Sequence, residues 1–281
     1  MEIRPPNRND YEGAAQVVAA ALGRPMDPAV LRDAVLFDED FDPNLVLVAR
    51  EKGVTLGFLA GVLKERGGEK KGFFKLLAVL PERQRRGLGR ELVERMEERF
   101  RDEGGVEALA GPCPPLDFFP GVPEDLPAAR AFFEGLGYRD FEGGSLAWAA
   151  APSAGASGDF QAGAGDLAWA ADLAREKAPE WSAALEEAFS HPRPGLARAR
   201  GGGVEALCFY RAGEGLGPLL VRSGSEAQLQ ELIRAAALLA SQPPPGPEGL
   251  RLRQPEPLAL WAGALELKGL SPCRGFRKRL A

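Results

Sequence analysis

Apolar positions in the first 150 residues follow a helical period in some segments and a strand-like period in others. Helical spacing predicts helices at residues 11–22, 28–37, 88–101 and 128–136, and Asn9 or Asp10 can cap the first. Short apolar or alternating runs predict strands at residues 2–4, 45–50, 54–64, 73–80, 106–110 and within 138–148. The order β-α-α-β-β-β-α-β-α-β indicates an α/β domain.

Residues 150–165 are rich in Ala, Gly and Ser, which is typical of a linker. Beyond them the order of the first half returns in a weaker form, with strands predicted at 204–211 and 216–221 and a helix at 225–239. Asp10 has a counterpart in Asp166, and the run around Phe276 is expected to close the second half. A repeat of about 120–150 residues indicates two domains, not a solenoid. We predict domains at residues 1–150 and 158–281.

The composition limits the class of function. The chain has 281 residues, 45% hydrophobic and 27% charged, which is ordinary for a globular protein of two domains. A net charge of −5 provides no basic face for nucleic acid. The three cysteines are far apart, which fits a reducing cytoplasm and excludes the close spacing of a zinc site, so we expect no metal.

Targeting signals are also missing from the sequence. There is no apolar signal-peptide core near the start and no uncharged apolar run of about 18 residues, so a cytoplasmic protein without a membrane partner is expected. Scarce Asn and frequent Pro fit a thermophilic source, although GC-rich coding bias gives a similar composition. The sequence leaves open whether the protein is a monomer or a homodimer.

The most informative segment joins the strand at 73–80 to the helix at 88–101. It reads Gln84-Arg85-Arg86-Gly87-Leu88-Gly89. Unpaired amides at a helix start, with a dipole equivalent to about +0.5 charge, favour an anion. Glycines let phosphate oxygens approach the backbone, and nearby arginines add positive potential. An ordinary helix start with solubilising arginines is the alternative. The turn does not fit a P-loop or a dinucleotide-binding fingerprint.

This turn, preceded by Leu77-Ala78-Val79-Leu80-Pro81, resembles the pyrophosphate-binding motif of the GNAT superfamily of acetyl-CoA-dependent N-acetyltransferases. A second family element is similar to residues 129–138, where a helix passes the coenzyme arm and ends in Gly137-Tyr138. The resemblance covers nearly all of residues 1–150. It implies a mixed, mostly antiparallel sheet whose central strands splay apart, flanked by helices, in each of two GNAT-like domains.

The resemblance also implies roles for individual residues. Main-chain groups of the central strand would bind the pantetheine arm and the acetyl carbonyl, and the amides of the turn would hold the pyrophosphate, with Gln84 shaping the turn. The residues implied in cofactor binding are Leu77, Ala78, Val79, Gln84, Arg85, Arg86, Gly87, Leu88, Gly89, Arg90 and Phe133. Acetyl-CoA is the implied cosubstrate, and an amine would attack its thioester directly.

The catalytic residues are not fixed by the sequence. Phe133 occupies the position where the family commonly has a tyrosine that protonates the leaving thiolate, and phenylalanine has no proton to donate. Cys113, Asp117 and Glu124 are weak candidates near the expected site, and structural or solvent-exposed roles are the alternatives. His191, the only histidine, is expected at the surface. The acidic run at residues 38–42 could attract a cationic acceptor or simply be a solvated loop.

The second half lacks the anion-binding motif. Its corresponding turn reads Arg222-Ser223-Gly224-Ser225-Glu226, which is shorter and ends in a carboxylate that would repel phosphate. We therefore expect an N-acetyltransferase acting on a small amine or a protein amine, with a degenerate second domain. A non-catalytic acyl-CoA binding or sensing module is the alternative, and a nucleotide-binding regulator is a third hypothesis.

Overall fold

The computed structural model describes residues 1–23, 26–36, 40–66, 68–111, 113, 121–149, 166–177, 194–201, 203–211, 215–240, 250–252, 264–265 and 267–280. These residues form two compact units. The first unit contains Met1–Gly144 and Cys273–Ala281, and the second contains Ser145–Pro272. This division differs from the predicted 1–150 and 158–281, because the end of the chain belongs to the first unit. The predicted linker at 150–165 lies outside the described residues.

The helices and strands are numbered in chain order. The helices are α1 (Asp10–Leu22), α2 (Pro28–Leu36), α3 (Leu88–Asp102), α4 (Pro127–Gly135), α5 (Leu167–Lys177) and α6 (Glu226–Ala240). The strands are β1 (Glu2–Arg4), β2 (Val46–Glu51), β3 (Val54–Arg66), β4 (Glu69–Val79), β5 (Glu107–Ala110), β6 (Val122–Pro123), β7 (Arg139–Ala149), β8 (Pro194–Gly201), β9 (Val204–Arg211), β10 (Gly215–Ser223), β11 (Leu250–Leu252) and β12 (Leu267–Arg279). Short 3-10 turns occupy Pro43–Leu45 and Pro81–Arg83.

The sheet of the first unit has the strand order β1-β2-β3-β4-β5-β12. All neighbours are antiparallel except β4 and β5, which are parallel. Strand β12 completes the sheet, with Phe276 opposite Ala110 and Arg279 opposite Glu107. The prediction of a mixed, mostly antiparallel sheet flanked by helices is confirmed. Strand β12 comes from the end of the chain, which the sequence assigned to the second half.

Helix α3 packs closely against β3 and β4 because glycines line the contact. Leu92, Met96 and Phe100 are fully buried and spaced four residues apart, so they share one helix face. A Cβ atom on Gly61 would lie 2.9 Å from the Phe100 ring, and one on Gly57 would lie 3.0 Å from Leu92. Side chains at these positions would therefore push the helix away from the sheet.

Helices α1 and α2 cover the other face of the same sheet. Val18 and Leu31 from the helices pack with Phe58 and Leu76 from β3 and β4 in one buried cluster. The middle of the sheet is thus covered on both faces, which explains why β4 is apolar from Phe73 to Val79 apart from Lys75.

A buried carboxylate fixes the start of α1. Asp10 accepts hydrogen bonds from Arg4 at 2.7 Å, from Arg50 at 3.0 Å and from the Asn7 amide at 2.7 Å. Burial raises the pKa of Asp10, but the Arg4 hydrogen bond, the Asn7 amide and the two guanidinium charges outweigh it, and the net pKa lies below its usual value. The carboxylate therefore stabilises the fold in its ionised form.

A second buried carboxylate ties α3 to the end of the chain. Glu97 accepts hydrogen bonds from the Tyr138 hydroxyl at 2.7 Å and from Lys278 Nζ at 3.0 Å, and it also pairs with Arg101 at 3.3 Å. Burial and the hydrogen bond to Glu97 raise the pKa of Tyr138 above its usual value. Strand β12 is thus held to the first unit by side-chain bonds as well as by backbone pairing.

The second unit repeats the pairing of the first. Strand β8 is antiparallel to β9, β9 is antiparallel to β10, and β10 is parallel to β11. Strand β11, the second strand of this parallel pair, is antiparallel to the end of β7 on its other side. In the first unit, β5 is likewise antiparallel to β12. Helix α6 packs Leu232 and Ile233 on one face of the sheet, and α5 packs Leu173 against Leu207 and Leu220.

One ion pair occurs at equivalent places in both units. In the first, Asp10 at the start of α1 bonds Arg50 on β2. In the second, Asp166 just before α5 bonds Arg198 on β8 at 2.6 Å. The counterpart predicted for Asp10 is therefore confirmed by position and by partner, and the two units share a construction beyond their strand order.

Candidate active site

The turn after β4 has an unusual backbone. A 3-10 turn at Pro81–Arg83 follows the strand, Arg85 has φ 58° and Gly87 has φ 88°. Positive φ is strained for arginine and unrestricted for glycine, and such strain is often found at functional sites. The Gln84 side chain donates to the carbonyl of Val79 at 3.0 Å, which ties the turn to the end of the strand.

Helix α3 begins without a side-chain cap. Gly87 is its N-cap residue, and the Glu91 amide donates the first helical hydrogen bond to the Gly87 carbonyl at 3.0 Å. The amides from Gly87 to Arg90 therefore precede the helical ladder and need an external partner. Gln84, Arg85, Arg86 and Gly87 are exposed, so a ligand can reach this helix start.

The four arginines of this region have different surroundings. Arg83 bonds Glu51 at 3.1 Å, and Arg90 bonds Glu94 at 3.4 Å and the Gly135 carbonyl at 3.3 Å. Arg85 and Arg86 form no ion pair with any residue that the structure describes. Their charges are therefore available to an anion at the helix start.

A gap opens between β4 and β5 beside this turn. The two strands pair only from Lys71–Glu107 to Phe73–Leu109, although β4 continues to Val79. A cavity of about 120 Å³ occupies the region beyond the last pair. Its described lining is mostly apolar and comes from the end of α1, β4, the end of β5 and α4: Leu22, Phe74, Lys75, Leu76, Leu77, Ala110, Gly111, Gly121, Val122, Pro123, Leu126, Ala129, Phe132 and Phe133.

Lys75 is a lining residue that the sequence analysis did not select. The register of β3 and β4 shifts between the pairs Ala60–Leu76 and Gly61–Phe74, so Lys75 is an extra residue in a β-bulge. It is 4% exposed, and it interrupts an otherwise apolar run. The sequence signal that could have identified Lys75 was a single lysine within an apolar strand, because an ammonium group is rarely buried without a partner.

Phe133 lies in an aromatic cluster at one wall of the cavity. It is 5% exposed and stacks on Phe276 with ring centroids 5.6 Å apart. Tyr138 is 5.3 Å away by the same measure, but its hydroxyl donates to Glu97. The nearest tyrosine in this cluster is therefore committed to a structural hydrogen bond and does not replace the hydroxyl that Phe133 lacks.

The weak catalytic candidates are not brought together in the cavity. Cys113 is 1% exposed and packs with Val62 and Phe73 in a small separate cluster. Glu124 is half-exposed and bonds Arg274 at 3.1 Å. Neither is among the described lining residues of the gap. Asp117 lies outside the described residues, as does His191.

The acidic run has two described members with partners of their own. Asp40 bonds the buried Lys64 at 2.5 Å, and Asp42 accepts a hydrogen bond from the Asn44 amide at 2.7 Å, which caps the 3-10 turn. Asp38 and Glu39 lie outside the described residues. Within the described part of the chain, no three His, Cys, Asp or Glu side chains are grouped as a metal site would require.

The corresponding helix start in the second unit carries its own cap. Ser225 precedes α6, its hydroxyl accepts from the Gln228 amide at 3.4 Å, and the Gln228 side chain accepts from the Ser225 amide at 2.9 Å. This is a reciprocal capping box. Only Gly224 and Ser225 separate β10 from α6, and Arg222 bonds both Glu176 and Glu205.

The comparisons with known proteins agree with this architecture. The model of the acetyltransferase (GNAT) family matches residues 20–138, which contain the turn, the gap and α4. This match supports placing the first unit in the GNAT superfamily. Comparison with curated protein sequences finds no match.

Solved structures extend the likeness to the whole chain. A tandem GNAT protein from the clavulanic acid biosynthesis pathway has TM-score 0.64 and 17% identity, covering 100% of this chain and 98% of that one. A GCN5-related N-acetyltransferase from Sphaerobacter thermophilus has TM-score 0.67 and 17% identity, covering 99% and 95%. Both units therefore have the GNAT fold.

A third structure is part of a much larger protein. The GCN5-related glucosamine N-acetyltransferase region of a fungal multi-domain GH3 β-N-acetylglucosaminidase has TM-score 0.70 and 16% identity. The match covers 99% of this chain and only 38% of that protein.

Among the described helices, none has the length and apolar character needed to cross a membrane.

Proposed function

We propose that the first unit transfers the acetyl group of acetyl-CoA to a primary amine, on a small molecule or a protein, by direct attack. One observation carries the proposal: a helix start without a side-chain cap, at the exposed Gly87, follows the strand that parts from its neighbour. The anion site and the gap are thus joined by a single strand, β4.

The backbone conformation of the turn, its positive charge and its exposure to solvent all suit the diphosphate of coenzyme A. Gly87 adopts a positive φ in open space, and the amides that follow it precede the helical ladder. Arg85 and Arg86 supply charge, and Gln84 fixes the turn to Val79. The residues proposed to hold the coenzyme are those of the turn, residues 84–90, with Leu77, Ala78 and Val79 on the adjoining strand and Phe133 at the wall of the gap.

Acetyl-CoA, when bound, supplies a thioester whose acetyl group is transferred. Among the described residues, the part of β4 beyond Phe73 has no strand partner on the β5 side. Its main-chain groups there are therefore available to the pantetheine arm and the acetyl oxygen. An amide aimed at that oxygen would stabilise the negative charge that develops as the amine nitrogen attacks. The carbon–nitrogen bond forms, the carbon–sulfur bond breaks, and the amine proton passes to solvent.

The enzyme hypothesis requires a proton for the departing thiolate, and the described residues at the gap do not include a clear donor for it. Phe133 cannot donate a proton, and the Tyr138 hydroxyl is bonded to Glu97. General acid help is often worth about 10²–10⁴ in rate, so we expect slow turnover with water as the acid. The same observation favours a second candidate function, an acyl-CoA binding module without turnover.

Calorimetry with CoA and release of free thiol in the presence of an amine panel test both functions together. Gly87→Ala places a Cβ at φ 88°, which costs about 1–2 kcal/mol if the turn keeps its shape, so CoA affinity should fall roughly tenfold. Gly68→Ala is the matched control, because Gly68 has φ 76° in open space in the hairpin at the other end of β4.

The outcomes separate the two functions. CoA binding that Gly87→Ala weakens and Gly68→Ala does not, with amine-dependent thiol release, supports the transferase. The same binding without thiol release from any amine supports the binding module. Failure to bind CoA, or equal effects of the two alanines, rejects the site itself.

A further inference from the structure

The cavity between β4 and β5 reaches both faces of the sheet of the first unit. Its lining includes Phe74 and Phe133, which belong to the buried cluster on the α3 side. It also includes Leu76, which belongs to the cluster under α1 and α2, and Leu22 at the end of α1, which packs against that second cluster. The gap is therefore a passage through the sheet.

The proposed coenzyme site lies on one side of this passage. The turn that would hold the diphosphate starts α3, and Phe100 of α3 packs against Phe74 with ring centroids 5.5 Å apart. Coenzyme A bound to this turn would reach the gap from the α3 side. Direct attack requires the amine nitrogen and the thioester carbon to approach to about 3–3.5 Å in the gap. The side next to Leu22 and Leu76 then remains for the acceptor.

The acceptor side of the gap is apolar where the structure describes it. Leu76 is 5% exposed and Leu22 is half-buried. Two other half-buried residues, Met26 and Phe41, pack against the same cluster as Leu22. A hydrocarbon body attached to the amine would be buried on this side, and each methylene so buried raises affinity roughly fourfold.

The described residues of the gap offer no counter-charge for a second ammonium group on the acceptor. Lys75 is the one charged residue among the described lining, and its charge has the same sign. The described carboxylates of the acidic run are engaged elsewhere, because Asp40 bonds Lys64 and Asp42 caps the 3-10 turn. The charges on the acceptor side therefore suit an amine whose body is uncharged.

On the basis of the proposed acetyl transfer, we propose that the acceptor is a primary amine with an uncharged apolar body, and that Leu22 is the residue that selects it. The amine nitrogen lies at the thioester in the gap. Its hydrocarbon body lies against Leu22 and Leu76 on the α1 side of the sheet.

Two amines of equal chain length test this selection: hexylamine, and hexamethylenediamine, which ends in a second ammonium group. Calorimetry measures the binding of each amine to the full chain saturated with CoA, which carries no acetyl group and so leaves the amine unreacted. Hexylamine should bind at least about tenfold more tightly, because an ammonium group buried without a partner is costly.

Leu22→Asp should reverse this preference, because its carboxylate attracts the second ammonium group and replaces the apolar contact. We expect hexylamine to bind about tenfold more weakly than to the wild type and the diamine to bind more tightly. Leu36→Asp is the matched control, because Leu36 is also the last residue of its helix and is not among the described lining of the gap. It should leave the ratio of the two affinities unchanged, and neither variant should change CoA affinity.

The outcomes separate the acceptor class from the coenzyme site. Failure of the wild type to bind CoA rejects the acetyl-transfer site and the acceptor class with it. If CoA binds but hexylamine at about 10 mM does not, the coenzyme site stands and the apolar acceptor is rejected. Equal binding of the two amines, or an unchanged preference in Leu22→Asp, also overturns the proposal.

Discussion

The helix that follows the central strand begins differently in the two units. In the first, residues 80–87 separate β4 from α3, and the N-cap residue is a glycine without a side-chain bond. In the second, Gly224 and Ser225 alone separate β10 from α6, and Ser225 with Gln228 satisfies the helix amides. The amides at the first helix start have no side-chain cap, and those at the second are capped within the chain.

This difference lies at one turn of a fold that the two units otherwise share. A helix start needs partners for its amides, and either an anion or a capping side chain can provide them. The parallel pair, the flanking helices and the Asp–Arg pair are present in both units. The shared fold therefore does not distinguish the two units, whereas the atoms at the helix start do.

An aspartate at the start of α3 should have the largest effect. Gly87→Asp places a carboxylate beside the amides, as Ser225 places a hydroxyl in the second unit, and it repels phosphate. We expect CoA affinity measured by calorimetry to fall at least about 100-fold, since a charged partner worth 1.5–3 kcal/mol is replaced by a repulsive one. Gly68→Asp is the control, and an equal loss there would show that the first helix start is not the anion site.

The contribution of β12 to the first unit can be tested at Lys278. Lys278→Met removes one cation from the buried Glu97, and the free energy of unfolding in urea should fall by about 2 kcal/mol. Arg279→Met, at an exposed pair with Glu69, should cost less than about 1 kcal/mol. If the two variants were equally stable, the buried carboxylate would not anchor the chain end.

The two units can be compared through the pH dependence of their stability, because Asp10 and Asp166 occupy equivalent places in them. The pKa of Asp10 is below its ordinary value of 3.8 in the folded protein, so its stabilisation is present above that value and is lost as the pH falls through the folded pKa. Asp10→Asn should lower the free energy of unfolding by about 1–3 kcal/mol at pH 7. Below pH 4, the free energy of unfolding of this variant should fall less steeply with pH than that of the wild type. Urea unfolding at several pH values measures both.

Asp166→Asn is the matched variant in the second unit. Its carboxylate is 15% exposed, whereas that of Asp10 is fully buried, so the cost at pH 7 should be smaller. If Asp166→Asn lowered the free energy of unfolding more than Asp10→Asn, the carboxylate of the first unit would not be the more stabilising of the two.

The smallest effect is expected at the cap of α6. Ser225→Ala removes a neutral helix cap, which should lower the free energy of unfolding by about 0.5–1 kcal/mol. CoA affinity should not change, because this helix start is closed by its own side chains. A fall in CoA affinity in this variant would show that the second unit takes part in binding.

Much of the first unit could be predicted from periodicity. The predicted helix at residues 88–101 is α3, Leu88–Asp102, and the predicted strand at 54–64 is β3, Val54–Arg66. Strand β8 was missed because its sequence alternates small and charged residues and has little apolar signal. In the site, the turn with Gly87 was predicted, but the position of Lys75 was not, because a bulge depends on the register of two strands.

The sequence by itself determined the order of elements, the glycine-containing turn before α3 and the shorter turn in the second half, because these follow from local spacing and local backbone freedom. Only the tertiary structure decided that Phe276 stacks on Phe133, that Lys278 reaches Glu97 and that Leu22 lines the gap between β4 and β5. Those contacts join residues far apart in the chain. Strand pairing at that distance depends on which edge is left open in the folded sheet, and no local pattern records it.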